Sequence, residues 1–237
     1  MRIKINLKGK NIDLPIHYNY AIQGLLYNVI SQKFKDVHDV GEVYENQNFK
    51  PFCFSRIFSS KYEIRDKRIL FDGDIYFIFS TPFSDISDHV VSYFLNNNTV
   101  RLGDNIVGVI SLKSSDYKLK NDMKVRALCP ITVYETERNE ESKFVRFFSP
   151  DTVEFREHIK LNMSKKAAIL GVHSGSFDIS PFKVNEKDEK VIRYKQTIIK
   201  GWTGVYNISG SNEMMRIAFE WGLGVKNSEG FGMVEEV

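Results

Sequence analysis

The sequence predicts an α+β protein in which one order of elements, β-α-β-β-α-β, occurs twice along 237 residues. Three observations predict it. Stretches of period-two alternation, or rich in aromatic and β-branched residues, read as strands, and four stretches carry apolar residues at helical spacing. A polar stretch without a period, "SSDYKLKNDMK" at residues 114–124, divides the chain near its middle.

In the first half, "RIKINL" alternates and puts Ile3, Ile5 and Leu7 on one face of an opening strand. "NYAIQGLLYNVISQKF" then spaces Ile22, Leu25, Leu26, Val29 and Ile30 as a helix does, with Asn19 available as its cap. "KPFCFSRIF" and "RILFDGDIYFIFS" read as strands, the second interrupted by an Asp-Gly turn signal. "SDISDHVVSYFLNN" reads as a helix capped by Ser84 with Ile86, Val90, Val91 and Phe94 inward, and "NIVGVISLK" closes the unit as a strand.

After the polar stretch the order returns. "VRALCPITVYET" and "KFVRFFS" read as strands flanking a polar turn, and "SPDTVEFREHIKLNMSKKAAILG" reads as a helix beginning near Pro150. "SFDISPFKV" and "KVIRYKQTIIKGWTGVYNIS" form an expected strand pair around the charged turn "NEKDE". The helix "SNEMMRIAFEWGLG" gathers Met214, Met215, Ala218, Phe219 and Leu223, and "GMVEEV" supplies the last strand. The expected fold is therefore two tandem ferredoxin-like (RRM-like) domains, 1–118 and 119–237, with a glycine-rich loop joining the last helix to the last strand.

Composition narrows the function classes. Apolar residues at 42% and charged residues at 27% describe a folded globular chain and argue against disorder or a coiled coil. The net charge of +3 is compatible with a nucleic-acid partner and too small to establish one. Cys53 and Cys129 lie in apolar strand-like stretches and read as buried reduced thiols. No apolar run approaches the ~18 residues of a membrane span, and the N-terminus alternates charge with apolar residues, so a cytoplasmic location is expected.

The loop "GLGVKNSEGFG" at 222–232 is the first candidate site. It fits neither GxGxxG, since position 227 is Asn, nor GxxxxGK[ST]. Backbone amides around Gly222, Gly224, Gly230 and Gly232, with Lys226, Asn227 and Ser228, are suited to holding a phosphate chain, and turn geometry alone is the competing explanation. Arg193 and Lys195 in "KVIRYKQTIIKGW" share a face under strand alternation and could follow a nucleic-acid backbone. Arg156, Lys160, Lys165 and Lys166 form a helical cluster open to either a solvated or a binding role. His89 and His158 fall on polar helix faces, and no His pair has metal-ligand spacing, so neither metal nor cofactor is expected.

"GLGVKNSEGFGMV" closely resembles the glycine-rich C-terminal signature of the CRISPR-associated repeat-processing endoribonucleases of the RAMP superfamily. "PIHYNYAIQGLLYNVIS" resembles that family's opening segment, and "VHDVGEVYENQNFKPFCFSRI" resembles its histidine followed by a "kpFtFS" strand. The helix "REHIKLNMSKKAAILG" fits as well, so the resemblance runs colinearly over nearly the whole chain.

What the resemblance implies is metal-independent cleavage of precursor CRISPR RNA within each repeat, leaving 2′,3′-cyclic phosphate and 5′-OH ends. It places the catalytic set at Tyr27, His38 and Lys50, with His17 a competitor for the histidine role. Such a reaction needs a 2′-OH deprotonated, a charged phosphorane stabilised and a leaving 5′-oxygen protonated. A histidine, with its ordinary pKa of about 6.5, gives or takes a proton near neutrality, and a lysine offers a compact cation. Tyrosine, near 10, is a poor free base and fits a positioning role. The implied partner is CRISPR repeat RNA, with an effector complex and a homodimer as further candidates. Two rival readings are a non-catalytic RAMP-type RNA-binding subunit and a ferredoxin-like domain holding a small anion at the glycine loop.

Overall fold

The computed structural model describes residues 1–34, 42–45, 47–114, 117–138 and 143–237. They form a mixed α/β fold of antiparallel sheets with four α-helices among the described residues. Two compact units result. The first comprises Met1–Asp116 with Arg193–Thr197 and Ser228–Gly230, and the second Tyr117–Ile192 with Ile198–Asn227 and Phe231–Val237.

In the first unit, β1 (Arg2–Pro15) lies at the centre of a sheet, hydrogen-bonded to β7 (Arg68–Ser80) on one side and β9 (Asn105–Ser114) on the other. The sheet order is β4-β7-β1-β9-β8, with β4 (Cys53–Phe54) and β8 (Thr99–Leu102) at its edges. β5 (Phe58–Ser59) and β6 (Tyr62–Arg65) also pair with β7, while β2 (Glu42–Tyr44) and β3 (Gln47–Phe49) make a separate two-stranded ribbon. The alternation read in "RIKINL" holds, since Ile3, Ile5 and Leu7 are buried. They share a core with Ile22, Leu26, Val29 and Ile30 of α1 (Asn19–Ser31) and Ile86, Val90 and Phe94 of α2 (Ser84–Asn96).

Three local expectations fail here. Asp72-Gly73 does not turn the chain: β7 runs straight through, and Gly73, at φ 92°, faces Gly9 where β1 bulges before Ile12. A glycine in a strand marks such a bulge as readily as a turn. The reversal comes earlier, at Asp66 and Lys67, both at positive φ between β6 and β7, the backbone of a two-residue hairpin turn without glycine. Neither Asn19 nor Ser84 caps its helix, because the caps fall on Tyr18 and Phe83 and neither gives a side-chain bond.

The second unit has the sheet order β13-β16-β10-β17, from β10 (Asp122–Ala127), β13 (Phe177–Lys183), β16 (Val205–Gly210) and β17 (Val234–Glu236). α3 (Val153–Ile169) packs on β13, and α4 (Asn212–Trp221) on β16 and on α3. Both helices have working caps, Thr152 accepting from Phe155 N and Ser211 from Met214 N. Met214, Met215, Ala218, Phe219 and Leu223 are all buried as the spacing required.

The strand pairing differs from expectation. "SFDISPFKV" pairs with β16 at the far end of the second segment and not with the residues next to "NEKDE", whose Asn185 caps a short 3-10 turn over Glu186–Asp188. β14 (Glu189–Tyr194) and β15 (Thr197–Trp202) instead form their own hairpin. "VRALCPITVYET" also breaks in two, since β11 (Tyr134–Arg138) leaves the sheet to pair only with β12 (Lys143–Phe147). Cys53 and Cys129 are both buried as reduced thiols.

Candidate active site on the first helix and the glycine-rich loop

α1 carries Asn19, Gln23 and Tyr27 at i, i+4 and i+8, one stripe of a helix. All three meet the tip of the glycine-rich loop. Asn19 Nδ2 donates to the carbonyls of Glu229 at 2.8 Å and Gly230 at 3.2 Å. Gln23 Nε2 donates to Ser228 O at 2.7 Å, and its Oε1 accepts from the hydroxyl of Tyr194. The Ser228 side chain lies near enough to the Tyr27 hydroxyl to favour its ionised form. Asn19, expected to cap the helix, thus holds the loop instead.

Tyr27 is half-buried, its ring edge-on to Phe52 at 5.5 Å between centroids. Lys50 Nζ lies 4.9 Å from the centre of the Tyr27 ring, within cation–π range. The structure therefore brings together Tyr27, Lys50 and Ser228. Burial pushes the Tyr27 hydroxyl up to about 12; the nearby Ser228 side chain offsets part of that shift and the Glu229 charge adds to it. The phenol is a neutral donor at physiological pH, consistent with positioning and not with action as a free base. His38 lies outside the described residues.

The glycine loop is buried for most of its length, and its glycines answer to packing. All four sit at positive φ. At Gly232 a Cβ would come 1.9 Å from Leu223 O, and at Gly230 it would come 2.6 Å from both Asn19 Nδ2 and Phe54. No side chain fits either place. Asn227 is 6% exposed, with Oδ1 accepting from Lys166 and Nδ2 donating to Leu223 O at 3.1 Å and Phe231 O at 3.0 Å. Its amide is therefore turned inward, contrary to the phosphate-holding role expected for it. Lys226, half-buried at φ 61°, has its Nζ 5.7 Å from the Tyr134 ring centre.

Other candidates separate. Arg193 and Lys195 do not share a strand face, because β14 ends at Tyr194 and Lys195 takes φ 53° in the turn. Lys195 Nζ lies 5.3 Å from the ring centre of Tyr20, which is 57% exposed and edge-on to Tyr194. His17 is exposed, its pKa lowered by burial first and then by the positive charges of Arg56 and Arg193. His89 and His158 are not on wet faces: His89 Nε2 donates to Val29 O at 2.9 Å, and His158 stacks on Phe148 beside Glu135. In the helical cluster, Arg156 is paired with Asp178, and Lys166 is buried.

Sequence reading missed Gln23, Asn19 as a loop anchor, and Lys166. A signal for Lys166 existed: it falls on the stripe Phe155, Ile159, Asn162, Met163, Ala167, where a solvated lysine does not belong.

Comparison with known proteins agrees along the entire chain. Residues 13–113 match the family model of CRISPR-associated protein Cas6, N-terminal, and residues 113–236 that of CRISPR associated protein Cas6, C-terminal. A relative from Methanocaldococcus jannaschii named CRISPR-associated endoribonuclease Cas6 1 is 26% identical, covering 100% of this chain and 93% of its own length. One from Pyrococcus furiosus, named CRISPR-associated endoribonuclease Cas6, is 27% identical over 99% of this chain and 89% of its own. Among solved structures, a Cas6-related protein from Pyrococcus furiosus superposes with a TM-score of 0.84 at 23% identity, covering 100% of this chain and 98% of that one. A RAMP protein described as binding different RNA substrates superposes at 0.83 with 22% identity, over 100% of this chain and 99% of that one. With two adjoining family models spanning 13–236, the chain belongs to the Cas6 family of CRISPR-associated proteins.

Proposed function

We propose that this chain is a CRISPR-associated endoribonuclease that cuts precursor CRISPR RNA within its repeats, with Tyr27, His38 and Lys50 as the catalytic set and no metal. The observation that carries the reading is the half-buried Tyr27 on α1 with Lys50 Nζ 4.9 Å from the centre of its ring. In the reaction the 2′-oxygen loses its proton and attacks phosphorus, the bond to the 5′-oxygen breaks, and that oxygen takes a proton. Tyr27, neutral at working pH, donates a hydrogen bond that orients the 2′-OH or a phosphoryl oxygen. Lys50 supplies positive charge to the phosphorane. His38 carries the proton transfer.

The sheet orders β9-β1-β7-β4 and β17-β10-β16-β13 support reading the halves, 1–118 and 119–237, as two ferredoxin-like domains. Repeat RNA is the substrate, with Lys226, Arg193 and Lys195 as backbone contacts and Gly222, Gly224, Gly230 and Gly232 shaping the loop. Membership of an effector complex and dimerisation remain proposals of the same kind.

A repeat RNA carrying a single 2′-deoxy sugar at the cleaved position tests the chemistry. It should bind like the all-ribose repeat and resist cleavage; cutting of the deoxy substrate at the same bond would exclude attack by the 2′-OH.

A further inference from the structure

We propose that a cavity in the first unit, lined by Gly24 and three tyrosines, is a base-reading pocket that seats one unpaired guanine of the repeat RNA. The inference deepens the RNA reading above and rests on it. The cavity measures about 430 Å³, at the small end of ligand pockets, which run from about 300 to 1,000 Å³. Leu14 and Leu25 line it with apolar groups, and Tyr18, Tyr20 and Tyr93 with aromatic ones. The Tyr18 hydroxyl already accepts from Ile57 N at 3.1 Å and Arg56 Nε at 3.2 Å, so that residue offers the cavity its ring.

Gly24 carries the argument. It stands inside α1, where glycine is the poorest helix former after proline, and a special φ or a crowded neighbour normally accounts for one. Neither applies here. Gly24 has no positive φ, and a Cβ built on it meets nothing within 4 Å. What the missing side chain leaves open is the cavity, where a flat ring can approach the bare helix backbone. Gly24 also lies one turn, about 5 Å, before Tyr27 on α1, so the seated base belongs to a nucleotide close to the cleaved bond.

The polar lining selects the ring. Asp13 and Asp104 balance Arg68 and Arg101, and His17, its pKa lowered, adds no charge at neutral pH, so a phosphate is not favoured inside. The rim is set before a ligand arrives. Arg68 Nε donates to Asp13 Oδ1 at 2.7 Å, Asp13 N donates to Asn105 Oδ1 at 3.0 Å, and Arg101 Nε donates to Gly103 O at 2.9 Å. With one Asp13 oxygen engaged by Arg68, the other can still accept. Guanine suits this pairing, because it presents adjacent N–H donors to a carboxylate and its O6 and N7 acceptors to a guanidinium. Lys195, in the same unit, has its Nζ 5.3 Å from the Tyr20 ring centre and supplies charge for the strand's phosphates outside the cavity.

The test measures affinity for the repeat made uncleavable by a 2′-deoxy sugar at the cleaved position. Each base is removed in turn, and each guanine is replaced by inosine, which lacks only the 2-amino group. At one guanine near the cleaved bond, the wild type should lose about tenfold in affinity with either change. Gly24→Leu, which fills the cavity with a good helix former, should bind the unmodified repeat about tenfold more weakly and show no further loss at that position. Asp13→Ala should erase the inosine penalty there. A penalty that persists in both variants, or no guanine with a penalty, would overturn the proposal. So would a loss coupled to Gly24→Leu at adenine, cytosine or uracil. Saturable binding of free guanosine monophosphate, without any base-specific penalty in the RNA, would assign the cavity to a free nucleotide and overturn the RNA-borne base. If Asp13→Ala does not fold, Gly24→Leu decides alone by the same criterion. Failure of the wild type to bind the repeat would sink the RNA reading itself.

Discussion

Tyr27 illustrates how a residue acquires a role from its surroundings. In "GLLYNVI" it is one more aromatic in an amphipathic helix, and only likeness to a known family singled it out. Its geometry then limits the chemistry open to it. Burial favours the uncharged phenol, so the folded protein holds the proton more tightly than the unfolded chain does. The stabilisation this gives is fully present below the ordinary tyrosine value of about 10 and is lost as pH rises toward about 12. Across the neutral range Tyr27 therefore does not titrate. Tyr27→Phe should slow cleavage about 10- to 100-fold at every pH from about 6 to 9 without moving either limb of the pH–rate profile. A displaced limb would mark the tyrosine as the titrating group. Lys166 and Asn227 were harder to read, because sequence shows a charge or an amide without showing whether it points to water or to a neighbouring carbonyl.

At the scale of elements, periodicity was the dependable guide. The alternation of Ile3, Ile5 and Leu7 and the helical spacing of Ile22, Leu26 and Val29 follow from which face each residue buries, and the core bears them out. Ends and pairings were less legible. Asn19 has the chemistry of a cap, but its amide bonds the loop carbonyls of Glu229 and Gly230, more than two hundred residues away in the chain. The Asp-Gly pair fits a turn locally, yet β1 lies beside β7 and keeps the strand extended. Capping offers a direct check. Thr152→Ala and Ser211→Ala should each lower stability by about 1 kcal/mol in denaturant unfolding, whereas Ser84→Ala should cost well under half of that. Equal losses at all three would show that Ser84 caps its helix after all.

At the scale of the whole molecule, the chain divides into two compact units. The first unit contains Tyr27 and Lys50, on α1 and at the approach to β4; the second contains Lys166 and most of the glycine loop. The question of whether the glycines serve turns or phosphate contact resolves toward packing for Gly230 and Gly232, where neighbouring atoms leave no room for a Cβ. Colinear likeness made this division legible where composition could not, since a net charge of +3 distinguishes no partner.

Metal-independent cleavage of repeat RNA by Tyr27, His38 and Lys50 is the proposed reaction. Its most direct test is incubation of the repeat from the protein's own genomic neighbourhood with excess EDTA, comparing wild type with His38→Ala. The wild type should cleave to 2′,3′-cyclic phosphate and 5′-OH ends in EDTA, and the variant should be slowed at least about 100-fold. Full cleavage by His38→Ala, or loss of wild-type cleavage in EDTA, would contradict it.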